Sequence, residues 1–213
     1  MRDYDVRIAL RSHLGVEHRD DPSTKIVEEL GLCEEARIDF AVINGSLTGF
    51  ELKSARDTLA RLPRQAATYS RVFDFVHLVS AENHVDRAVN IIPPWWGIVI
   101  AMPDNQSRLS LHFDRAASEN PSVDPYSIVQ LLWRTEALAI LTRFEADRGV
   151  RSCPREAVWG RLVETLSLTE LRTEVRNTLK ARRWWRENPA RRGNAATSQL
   201  SSKTPRFLAR RIR

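Results

Sequence analysis

The sequence predicts an α/β protein, a mixed sheet flanked by helices, followed by an all-helical C-terminal extension. Three observations carry that prediction. Residues 36–53 hold two strand-like runs joined by Asn44-Gly45-Ser46, a strong hairpin turn signal. Strand-like and helix-like segments then alternate as far as residue 113, as in a sheet with crossover helices. Beyond a polar, proline-containing linker at residues 114–124 the apolar spacing is helical throughout. A chain of 213 residues, 42% hydrophobic and 28% charged, buries enough for one domain with an appendage or for two small ones.

Taken in order, residues 6–13 read as a helix and residues 18–22 as a polar loop. Residues 24–30 read as a short helix with Ser23 as its N-cap. The hairpin strands follow at 36–43 and 47–53. Residues 57–73 place Leu59, Leu62, Ala66, Tyr69 and Phe73 at helical spacing, with Pro63 marking a kink or a short break. A buried strand at 75–80, a helix at 82–90 and strands at 97–102 and 108–113 complete the core. Trp95-Trp96-Gly97 closes that core after Pro94, with base stacking as the competing use of the tryptophans. Helices are predicted at 125–147, 155–166 and 169–185. The expected domains are a core at 1–115, a helical module at 125–187 and a flexible basic tail at 188–213.

A formal charge of +6 and a pI near 9.9 favour a polyanionic partner, but the charge is unevenly placed. Residues 181–213 carry ten Lys or Arg against the single acid Glu187, which leaves the rest of the chain slightly acidic. Trp184 and Trp185, set among Arg182, Arg183 and Arg186, form an aromatic-basic candidate for nucleic acid; a helix end packing on the core is the competing reading. Cys33 and Cys153 show neither zinc-ligand spacing nor a disulfide framework, so a reducing cytoplasm is expected. The N-terminus lacks an apolar signal region, and Pro93-Pro94 interrupts the longest apolar stretch, so neither export nor a membrane span is predicted. His13, His18, His77, His84 and His112 show no metal-ligand spacing. P-loop and Gly-x-Ser-x-Gly chemistry have no matching motif.

Chemistry concentrates in the hairpin. A period of two puts Glu51 and Lys53 on one face, opposite Phe50 and Leu52. Arg37 and Asp39 then share a face opposite Ile38, Phe40 and Val42, with Asp39 across the hairpin from Glu51. Two carboxylates and one lysine are what a magnesium-dependent phosphodiesterase needs. Asp39, Glu51 and the carbonyl of Leu52 would hold a hard divalent ion, while Lys53 orients or deprotonates water, or stabilises developing charge. A solvated cross-strand charge cluster is the bland alternative. Arg37, Arg56, Arg61 and Arg64 face DNA or form ion pairs, and Asp57 reads as structural.

Asp39, followed twelve positions later by Glu51-Leu52-Lys53, resembles the Asp...(Asp/Glu)-x-Lys signature of the PD-(D/E)XK nuclease superfamily. The wider run Glu-Leu-Gly-Leu, Arg-Ile-Asp, Phe-Glu-Leu-Lys-Ser, Asp-Thr-Leu-x-Arg-Leu, Gln-x-x-x-Tyr and Ile-Pro-Pro-Trp-Trp-Gly is similar to a small bacterial branch of it. The resemblance covers roughly residues 20–115 and departs from the name pattern at Ile38, which stands where proline is usual. It implies a restriction endonuclease-like fold and a metal-dependent endonuclease cutting DNA with Mg²⁺ or Mn²⁺. It also implies that Gln65 and Tyr69 shape the site and that Glu29, or failing that Glu28, supplies an upstream acidic ligand. Many relatives dimerise, so a homodimer is expected. An RNA substrate is not separated from DNA. A nucleic-acid-binding or assembly protein that keeps the fold without catalysis is the alternative function.

Overall fold

The computed structural model describes residues 2–104 and 108–183. One unit spans residues 1–182 and includes the C-terminal helices. The segment read as a tail, 188–213, and the pair Trp184-Trp185 lie outside the described residues. Thirteen elements follow one another among the described residues. They are α1 (Asp3–Glu17), β1 (Lys25–Leu32), β2 (Ala36–Ile43), β3 (Leu47–Lys53), α2 (Leu62–Ser70), β4 (Phe75–Ala81), α3 (Glu82–Val89), β5 (Gly97–Pro103), β6 (Leu109–Arg115), α4 (Pro125–Val129), α5 (Arg134–Arg143), α6 (Arg155–Thr165) and α7 (Leu168–Ala181).

The strands form one six-stranded mixed sheet in chain order. β2 runs antiparallel between β1 and β3; β3, β4 and β5 run parallel; and β6 returns antiparallel beside β5 with a register shift at Ile98 and Val99. The parallel neighbours are joined by α2 and α3, the crossover connections that parallel pairing requires. One face packs on α1: Val6, Leu10 and Leu14 meet Phe40, Val42, Phe50, Leu52, Val79, Val99 and Ala101. Opposite them, Gly49 faces Ile38 and Phe73 so closely that an added Cβ would lie 2.4 Å from Ile38 Cδ1.

Four expectations are corrected by the structure. Residues 24–30 are not a helix but most of β1. The cause is a break in its ladder with β2: the register pairs Glu28 with Phe40 and Leu30 with Ile38 but omits Glu29, whose φ is 55°. Val27 and Leu30 are both buried although three positions apart, and that spacing imitates a helix. The same break overturns the simple alternation of β2, because Ile38 reaches the Gly49 side while Phe40 and Val42 pack with α1. The predicted helix at 57–73 is shorter: α2 starts at Leu62 with Pro63 in its first turn, where a missing N–H costs nothing. The stretch 125–147 divides into α4 and α5 at Trp133, which is extended.

Local caps and one buried acid fix the helical region. Asp124 accepts the Ser127 N–H at the start of α4, and Ser167 with Glu170 forms a capping box at α7. Buried Asp74 accepts the Leu47 N–H at 2.7 Å and the Arg176 guanidinium at 3.4 Å, and pairs with Arg172 at 3.1 Å. Leu47 opens β3, so these contacts tie α7 to the strand that carries Glu51 and Lys53. No helix among the described residues is long and apolar enough to cross a membrane.

Candidate active site

The site begins where β2 and β3 part. Their last ladder pair is Phe40 with Phe50. Beyond it the Asp39 carboxylate enters the gap and accepts the Leu52 N–H at 2.9 Å through Oδ2, replacing a strand-to-strand bond. Its Oδ1 accepts Arg7 Nη2 of α1 at 2.6 Å. Asp39 and Glu51 are therefore neighbours across a splayed hairpin end, not partners in a regular ladder.

Glu51 is 2% exposed and Lys53 4% exposed, although both are ionisable. Such groups persist in an interior only when partnered. Glu51 Oε1 accepts from Lys53 Nζ at 2.5 Å and from Gln65 Nε2 at 2.6 Å, and Oε2 lies 2.7 Å from the Tyr69 hydroxyl. Gln65 Oε1 in turn accepts from Lys53 Nζ at 3.0 Å, which fixes the orientation of the amide. Gln65 and Tyr69, one helical turn apart on α2, thus both address Glu51. Tyr69 is fully buried and stacked on Trp96 at 6.0 Å, so its position is set by packing. Trp96, also fully buried, closes the core as the sequence suggests.

Burial pushes the Glu51 carboxyl above its ordinary range; Lys53 opposes that shift and Asp39 adds to it. Burial also raises the Tyr69 phenol, with Glu51 beside it reinforcing the effect, so Tyr69 is a hydrogen-bond donor at neutral pH.

A cavity of about 290 Å³ opens over this group, and Asp39, Glu51, Leu52, Lys53 and Gln65 all line it. Tyr69 sits behind the wall, bonded to Glu51. Glu29 does not join them: half-exposed, it pairs with Arg37 at 3.2 Å. Glu28 is held by Arg11 and Arg7. The helix that precedes the hairpin is α1, and the acid it brings to the cavity is Asp3. Asp3 and Arg7 were missed by sequence reasoning; their i, i+4 spacing at the start of the first helix was the available signal. Asp57 lines the cavity but also accepts the Ser54 N–H at 2.7 Å, a structural turn bond. Arg61 and Arg64 line the rim from the start of α2, with no ion-pair partner among the described residues.

Three or more His, Cys, Asp or Glu gathered closely enough to hold a metal ion do not occur among the described residues. Five carboxylates, those of Asp3, Glu35, Asp39, Glu51 and Asp57, line the cavity, and Asp39 and Glu51 are the pair set at the parting of the hairpin.

The family model for Bacteriophage P4 protein cII matches residues 1–201. The chain belongs to that family. Protein cII of Enterobacteria phage P4 is 31% identical to it over 107 residues, which is 50% of this chain and 40% of the phage protein. The match thus covers less than half the length of that curated relative. Among solved structures, the SPO1766 protein of unknown function from Silicibacter pomeroyi aligns with a TM-score of 0.39 at 20% identity, covering 70% of this chain and 90% of the other. These descriptions name a family and no chemistry.

Proposed function

We propose that this chain is a metal-dependent endonuclease with a restriction endonuclease-like core, hydrolysing phosphodiester bonds of DNA with Mg²⁺ or Mn²⁺. The observation that carries the reading is the meeting of Asp39, Glu51 and Lys53 on one cavity wall, with Gln65 and Tyr69 both bonded to Glu51. A solvated charge cluster would not be buried to this degree.

The donor set fits a hard divalent ion. Magnesium keeps several waters and uses one or two carboxylates together with substrate phosphate oxygens, which is what Asp39, Glu51 and the open cavity offer. The raised pKa of Glu51 supports the same fit, since a cation beside a buried carboxylate offsets the cost of its charge. A bound ion would supply an acidified water and neutralise charge at the scissile phosphate. The chain's own residues prepare that site. Gln65 and Tyr69 hold Glu51 in one rotamer, and Lys53 places an ammonium beside the carboxylates to orient water or to stabilise the phosphorane-like charge. Arg61 and Arg64 offer guanidinium groups to phosphate oxygens at the rim. Arg7 donates to Asp39 Oδ1, an oxygen that a bound ion would have to share or take over.

One observation favours the second reading, a nucleic-acid-binding protein that keeps the fold without cleaving. The oxygens of both carboxylates already have protein donors. Thermal denaturation with added Mn²⁺ separates the two. Binding at a hundred times Kd stabilises by about 2.7 kcal/mol, so the melting temperature of the native protein rises with Mn²⁺ and that of Asp39→Ala does not. A native protein indifferent to Mn²⁺ and Mg²⁺ would remove the metal site and favour binding alone.

A further inference from the structure

We infer that Arg7 sets how tightly the site takes a divalent ion: its guanidinium competes with the ion for Asp39 Oδ1, so that metal binding is an exchange of one cation for another. The inference rests on the reading of Asp39 as a metal ligand and adds the residue against which the ion competes.

The two oxygens of Asp39 are held in different ways. Oδ2 accepts the Leu52 N–H at 2.9 Å, a backbone donor fixed by β3. Oδ1 accepts Arg7 Nη2 at 2.6 Å, a side-chain donor carried in from α1. The first bond keeps the carboxylate in place whichever cation sits on the second oxygen. Glu51 is held otherwise: Gln65 and Tyr69 are neutral donors, and Lys53 belongs to the same strand and the same cavity wall. Arg7 is not part of that wall.

The guanidinium also has other partners within reach. Its three nitrogens address three different carboxylates: Nη2 bonds Asp39, Nε lies 3.6 Å from Asp3 and Nη1 lies 3.8 Å from Glu28. Glu28 is gripped independently by Arg11, through bonds of 2.7 and 2.6 Å. The Arg7 guanidinium carbon sits 5.4 Å from the centroid of the Phe40 ring, which anchors the side chain from the other side. The Arg7 side chain is 18% exposed, so stranding its charge would be costly. Displaced from Asp39, it still has Asp3 and Glu28 beside it, and the exchange strands no charge. At equal distance a doubly charged ion attracts Oδ1 about twice as strongly as the guanidinium does, so it can take the oxygen, at an affinity lowered by the charge-assisted bond it displaces.

Mn²⁺ titration followed by electron paramagnetic resonance tests this without reference to cleavage, because the signal of free aqueous Mn²⁺ falls as the ion binds. Arg7→Met keeps an apolar stem over Phe40 and loses the charge, and it is expected to bind Mn²⁺ more tightly than the native chain by about tenfold or more. Arg7→Lys, which keeps the charge, is expected to lie between the two. In an Asp39→Asn background Arg7→Met is expected to give no such gain, since the contested oxygen has lost its charge. One measurement needs no variant: in the native chain, saturating Mg²⁺ is expected to speed exchange of the Arg7 guanidinium protons with water and to leave those of Arg11 unchanged. A native chain that binds Mn²⁺ through Asp39 while Arg7→Met binds no more tightly overturns the inference and leaves the metal site standing. An equal gain in the Asp39→Asn background would assign the effect to net charge and overturn it too, as would Arg7 protons indifferent to Mg²⁺. Absence of Mn²⁺ binding by both the native chain and Arg7→Met would remove the metal site itself, and the inference with it.

Discussion

At the scale of single residues, the core holds a second strained group besides Glu51. His77 of β4 is stacked on Phe50 at 4.9 Å with an interplanar angle of 10°, and its Nδ1 is buried without a hydrogen-bond partner among the described residues. Burial pulls its pKa down to about 4, against a weak upward pull from Glu17. Because the folded value lies below the unfolded one, the unfolded chain binds the extra proton between those values. The stability His77 allows is thus present above about pH 6.5 and is lost as pH falls through about 4, a change of about 3 kcal/mol at most. Urea denaturation of the native protein and His77→Leu at about pH 4.5 and pH 7 checks this, since His77→Leu is expected to lose much less stability on acidification. Equal losses in both proteins would assign the acid sensitivity to other groups.

Among the elements, the parting of β2 from β3 matters most. Beside it, within the ladder, lies Gly49, over which Ile38 Cδ1 and two Phe73 ring carbons crowd at 2.4, 3.2 and 3.2 Å from the position of an added Cβ. Ile38 and Phe73 are both fully buried, so neither moves freely. Gly49→Ala is expected to cost about 1–3 kcal/mol, the range for overpacking a well-filled core, read as a lower denaturation midpoint at unchanged slope. A variant as stable as the parent would mean that the approach is looser than described. The same region shows what the sequence could and could not disclose. The hairpin, its turn and the Glu51, Lys53, Gln65 and Tyr69 positions were legible, because period-two and i, i+4 patterns are local. β1 was misread because one left-handed residue, Glu29, converts a strand's burial pattern into a helical one. The Arg7 contact to Asp39 joins residues 32 positions apart, and no periodic pattern encodes such a partnership. Trp133 divides the 125–147 stretch for a similar reason. Arg182, from the far end of α7, lies 4.4 Å above its ring and bonds the Glu136 carboxylate and the Leu131 carbonyl.

For the molecule as a whole, the arrangement brings α1, the splayed hairpin and α2 around one cavity, while α7 is tied through Asp74 to the strand that bears Glu51 and Lys53. The cavity itself mixes signs, with Asp3, Glu35, Asp39, Glu51 and Asp57 beside Lys53, Arg37, Arg61 and Arg64. Phosphate contacts from the rim arginines would make DNA binding salt-dependent and largely independent of sequence. The most direct test is cleavage of supercoiled plasmid and linear duplex by the purified chain with Mg²⁺, Mn²⁺ or EDTA, beside Lys53→Ala prepared identically. The account predicts nicking that requires the divalent ion, stops with EDTA and is lost in Lys53→Ala. DNA left intact by the native chain under every condition, or nicked equally by Lys53→Ala, would contradict it.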